Sequence, residues 1–87
     1  GANVHANNDE ALRFASSRGH LEIVKLLLEA GANIHANNDQ ALYWASHRGH
    51  LEVVKLLLEF GANRVKGALY WANKNGHLEV VKVLEDN

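Results

Sequence analysis

The sequence predicts an all-α solenoid of three stacked helix-turn-helix units. Three observations carry this: the chain repeats itself at a nearly fixed period, each unit holds two helical stretches punctuated by glycine, and the second stretch is apolar around most of its circumference. Residues 1–30 differ from residues 31–60 only at positions 4, 10, 13, 14, 17, 23 and 30, so 23 of 30 match. The third unit, 61–87, keeps Gly61-Ala62-Asn63, Gly67-Ala68-Leu69-Tyr70-Trp71-Ala72 and Gly76-His77-Leu78-Glu79-Val80-Val81-Lys82, and is three residues shorter before its Ala-Leu. Self-similarity of this period is the signature of stacked repeats, and it divides a single domain of 87 residues into units 1–30, 31–60 and 61–87.

Within the middle unit, Asp39 stands where an N-cap carboxylate would accept from free first-turn amides, and Ala41, Leu42, Trp44 and Ala45 follow at helical spacing. A first helix over about residues 40–48 is therefore expected, closed by Gly49, whose missing Cβ tolerates the left-handed conformation. Asp9 and Gly19 repeat the arrangement, while Lys66 and Gly67 replace the cap in the third unit. The aromatic residues Phe14, Trp44 and Trp71 read as core.

The second helix, about residues 51–59, carries Leu51, Val53, Val54, Leu56, Leu57 and Leu58, with Glu52, Lys55 and Glu59 as a polar stripe. A helix this apolar must be sandwiched, and its stripe is the outer face of the stack. Gly31 and Gly61 end such helices, and Gly1 stands at the matching position. In the last unit Leu58, Glu59 and Phe60 become Glu85, Asp86 and Asn87, as expected of a polar end to the stack; at the other end, exposed apolar surface is expected near Leu12 and Phe14. The start at Gly1 and the near-identity of the units fit an excised segment or an engineered chain.

The run Gly19-His20-Leu21-Glu22-Ile23-Val24-Lys25-Leu26-Leu27-Leu28-Glu29-Ala30-Gly31-Ala32-Asn33, repeated from Gly49 and from Gly76, resembles the second helix and exit of an ankyrin repeat. The resemblance covers the whole chain and implies a concave protein-binding surface built from inter-repeat loops and first helices. It has departures. The family's 33-residue unit opens with Thr-Pro-Leu-His, whereas this chain has neither Thr nor Pro and reads Glu10-Ala11-Leu12-Arg13, Gln40-Ala41-Leu42-Tyr43 and Gly67-Ala68-Leu69-Tyr70. Shortened loops without hairpin fingers are expected, with Asp9, Asp39 and the aromatic residues substituting for the family's Thr-His network. Tyr43 and Tyr70 take the family's His position.

Composition narrows the function classes. Nearly half the residues, 47%, are apolar and Cys is absent, so packing alone must stabilise a chain that buries only roughly 60% of its unfolded surface. The lack of Cys leaves redox compartment open and leans weakly to the cytoplasm. Nine basic and ten acidic residues, spread along the chain, argue against nucleic acid, and the aliphatic runs are far too short to cross a bilayer. Six His residues raise the question of a metal, but His20, His50 and His77 recur once per unit, His5 and His35 lie in Asn-rich loops, and His47 is cut off from His50 by Gly49. No helical ligand pair results, and no metal or cofactor is expected. Neither a nucleophile–base arrangement nor a phosphate loop is present, so the chain reads as a non-enzyme. Its expected partner is another protein, with the chain a monomer or weakly self-associating, and the contact face is assigned to Asn37, Asn38, Gln40, Tyr43, His47, Arg48, Lys74 and Asn75. The alternative is a repeat scaffold with no native partner.

Overall fold

The computed structural model describes residues 9–86. Six helices follow one another: α1 (Glu10–Arg18), α2 (Leu21–Glu29), α3 (Ala36–His47), α4 (Leu51–Glu59), α5 (Lys66–Lys74) and α6 (Leu78–Glu85). Among the described residues there is no strand, in keeping with the short loops. The expectations for Gly1, His5 and Asn87 lie outside the described residues.

Each pair turns back on itself through glycine. Gly49 is left-handed at φ 78°, and the amides of Gly49 and His50 donate to Ser46 and Ala45 carbonyls at 3.2 and 2.9 Å, satisfying the last turn of α3. Consecutive pairs then stack, α1 on α3 on α5 and α2 on α4 on α6, into a body of 39 × 22 × 21 Å. The first helices approach one another more closely than the second helices do, so the stack bends with α1, α3 and α5 inside. Small side chains permit this: Ala41, Ala45, Ala68 and Ala72 are buried along the first helices. The second helices supply the bulk, with Val24, Val53, Val54, Leu57 and Val80 closed off from solvent. Their stripe is the outer face, where the Lys55 ammonium lies 3.8 Å from Glu52.

Three sequence expectations are corrected. Asp9 and Asp39 are not N-caps: both are left-handed, at φ 62° and 59°, and neither makes a side-chain cap bond. Each carboxylate instead accepts the amide of the following unit's loop, Asn33 to Asp9 at 2.9 Å and Asn63 to Asp39 at 2.8 Å. Asp39 is buried, also accepts His35 Nδ1 at 2.9 Å, and closes a left-handed turn of Asn37, Asn38 and Asp39. Asn and Asp carry such a turn at lower cost than other non-glycine residues. The three-residue shortening of the third unit removes this turn, and α5 starts directly after extended Val65. Second, the aromatic residues are not core. Phe14 is 43% exposed and Trp44 and Trp71 are half-buried, because the Ala-lined gap between first helices leaves no volume for them. Third, the exposed apolar surface expected near Leu12 and Phe14 is found at Phe14 but not at Leu12, which is buried; Ile23 and Leu26 are the other large exposed apolar residues of the first pair.

Candidate protein-binding face

Equivalent residues of the first helices fall into rows across the inner side of the stack. Helix α3 buries Ala41, Leu42, Ala45 and Ser46 in the stack, whereas Gln40, Tyr43, Trp44, His47 and Arg48 keep contact with solvent. The corresponding positions are Glu10, Arg13, Phe14, Ser17 and Arg18 on α1, and Gly67, Tyr70, Trp71, Lys74 and Asn75 at the end of the series. Of the seven positions at which residues 1–30 and 31–60 differ, 10, 13, 14 and 17 all lie on this face. Their i, i+3, i+4, i+7 spacing marks one helix side.

An aromatic band crosses from α3 to α5. Tyr43 meets Trp44 edge-on at 5.2 Å, Trp44 meets His47 at 5.2 Å, and His47 packs against Trp71 of the next unit at 4.8 Å. Tyr70 continues the band at 5.1 Å from Trp71. Cations rest on the rings: Arg13 and Arg18 over Phe14 at 4.6 and 5.6 Å, Arg48 over Trp44 at 5.8 Å, and Lys74 over Tyr70 at 5.7 Å. Contacts of this kind stabilise by about 0.5–1 kcal/mol at exposed sites and hold the charges along the face. Two open clefts flank Trp44. One, of about 280 Å³, lies between α1 and α3 beside Arg13, Phe14 and Arg48; the other, of about 380 Å³, lies towards α5 and is bounded by Asn37, Asn38, Tyr43 and Val65.

The eight residues assigned from sequence distribute as follows. Asn37 and Asn38 are exposed in the left-handed turn at the rim of the larger cleft. Gln40, Tyr43 and His47 are half-buried on the face, and Arg48, Lys74 and Asn75 are exposed. Gln40 accepts from Arg13 at 3.4 Å across the α1–α3 groove. Asn75 has a structural task as well, its side-chain amide donating to the His47 carbonyl at 2.9 Å. Variation between the units already pointed to the pairs Glu10/Gln40, Arg13/Tyr43 and Ser17/His47; Phe14, Trp44, Tyr70 and Trp71 were not assigned to the face, although Phe14/Trp44 is a varied position of the same helix side.

The histidines of the Gly-His junctions serve stacking. The His50 ring Nε2 donates to the Ser17 carbonyl at 2.9 Å and His77 Nε2 to the His47 carbonyl at 3.1 Å, each bond joining one unit to the next. His20 is exposed. No group of three or more potential metal ligands gathers among the described residues, and no helix there is long and apolar enough to cross a membrane.

Against known families, a model of ankyrin repeats in three copies matches residues 12–87. Nothing among curated proteins matches the chain.

Proposed function

Because the chain belongs to the ankyrin repeat family, whose members are generally non-enzymatic protein-binding modules, we propose that it is one domain of repeats 1–30, 31–60 and 61–87 that binds another protein. The contact runs over the inner face of α1, α3 and α5 and the loop at Asn37 and Asn38. The observation that carries this is the placement of sequence variation. Between two nearly identical units the core positions Leu12/Leu42, Ala15/Ala45 and Leu27/Leu57 are unchanged, whereas four of the seven differences fall on the inner face. A rigid stack presenting varied side chains loses little conformational freedom on association. Its half-buried aromatic residues with neighbouring arginines are the residue types that dominate binding energy at interfaces.

The test starts from a partner obtained by display selection. Replacing Gln40, Tyr43, Arg48 and Lys74 with Ala should weaken that partner's binding by about tenfold or more, since a few residues carry most of an interface's energy. The chemical melt should stay close to that of the parent chain. Replacing Lys25, Lys55 and Lys82 on the outer helices should leave binding intact; the reverse pattern would place the contact on the outer face. A second reading, an engineered scaffold with no native partner, is favoured by the 23 of 30 identities between the first two units. Selection against a native proteome separates the two, since a scaffold of that kind enriches nothing.

A further inference from the structure

We infer that the inner face takes an acidic protein segment, about seven residues in extended conformation, with carboxylates about three residues apart and an apolar residue between them. This rests on the proposed inner-face contact and adds the chemistry of the partner. The folded chain separates charge that the sequence leaves mixed. The outer helices α2, α4 and α6 carry Glu22, Glu29, Glu52, Glu59, Glu79 and Glu85 against Lys25, Lys55 and Lys82, so the outer side is net acidic. On the inner face, Arg13, Arg18, Arg48 and Lys74 outnumber Glu10. Asp39 does not offset them, because its buried carboxylate is taken by the Asn63 amides and His35.

Arg13 is already paired, its guanidinium 3.2 Å from Glu10. Arg18, Arg48 and Lys74 pair with no carboxylate among the described residues. Cations in a last helical turn complement the helix dipole, and that accounts for their place along each helix. Each also lies over the aromatic ring four residues earlier, at 5.6, 5.8 and 5.7 Å, an i, i+4 contact that helix geometry brings together. A guanidinium stacked by its face keeps its edge donors free for a carboxylate. One such cation stands at the end of each first helix, Arg48 just past α3 and Lys74 one position before Asn75, the equivalent of Arg48. Packed helices lie about 8–10 Å apart, which an extended chain at about 3.3 Å per residue covers in about three residues. The clefts on either side of Trp44 receive the intervening apolar side chains. Nucleic acid fits less well, since phosphate-driven binding draws on about 6–10 cationic contacts.

A random twelve-residue peptide library on phage, panned on the whole chain, tests this. Enriched peptides should be net negative, with acidic residues three apart around an aliphatic or aromatic residue. A synthetic peptide from the pool should lose about tenfold in affinity on combining Arg18→Gln, Arg48→Gln and Lys74→Gln, as loss of close charge pairs commonly produces. Lys25→Gln, Lys55→Gln and Lys82→Gln together should not weaken it. Arg48→Glu should recover a peptide whose matching acid is changed to lysine, a rescue that loss of fold could not give. Enrichment of neutral or basic peptides, indifference to the inner triple variant, or tighter binding of a twelve-nucleotide oligothymidylate would each overturn the inference. Non-acidic peptides that still require Tyr43 would leave the inner-face contact standing, whereas an empty selection would overturn both.

Discussion

Replacing Gly49 with Ala, beside the same change at Gly76, tests how the units lock together. Both glycines are left-handed, at φ +78° and +75°, so both substitutions carry the same backbone penalty of roughly 1–2 kcal/mol. Their surroundings differ. A Cβ on Gly49 would lie 2.6 Å from Nδ1 and 2.7 Å from Cε1 of the His77 ring, while at Gly76 nothing comes within 4 Å. The His77 ring cannot slide away freely, because its Nε2 donates to the His47 carbonyl at 3.1 Å. Relieving the clash forfeits that bond, about 0.5–1.5 kcal/mol, or strains the packing around it by about 1–3 kcal/mol. The cheaper route sets the cost, so Gly49→Ala should cost about 0.5–1.5 kcal/mol more than Gly76→Ala. Urea melts read this directly: at an m of about 1 kcal/mol/M, the two midpoints should differ by about 0.5–1.5 M. In a His77→Ala background, the cost of Gly49→Ala should fall to that of Gly76→Ala. Equal losses in the parent chain would mean that the ring does not sit on the glycine, and the account of the histidine ladder would be wrong.

Two further substitutions probe buried polar groups. The hydroxyl of Ser46 is fully buried with no hydrogen-bond partner, as is that of Ser16, so Ser46→Ala should raise stability by about 1 kcal/mol in a chemical melt. A loss instead would mean that the hydroxyl is satisfied. Asp39→Ala should cost about 1–3 kcal/mol by stranding the Asn63 amide, and hydrogen exchange at that amide should accelerate; unchanged protection would show that the carboxylate is not its acceptor.

The second helices were legible in the sequence because burial on several sides leaves an unmistakable pattern. Leu51, Val54 and Leu57 repeat at helical spacing and Gly61 stops them, and α4 spans Leu51–Glu59 as that pattern requires. The candidate face was only half legible. Trp44 and Trp71 sit at helical spacing among apolar neighbours, which is how core residues look, and local pattern cannot tell that alanines bring the first helices too close to admit an indole. Asp39 precedes a helix and so resembled a cap; its pairing with Asn63 crosses from one unit to the next, 24 residues along the chain. Charge shows the division most plainly. The sequence by itself determined the repeat, the helix pairs and a net charge of −1, since these follow from local periodicity and composition. The glutamate stripe was already set apart by that periodicity; only the tertiary structure decided that Arg18, Arg48 and Lys74 share the inner side without a carboxylate partner, because stacking the helix pairs in register lines up Arg18 with Arg48 and sets Lys74 one position before that row.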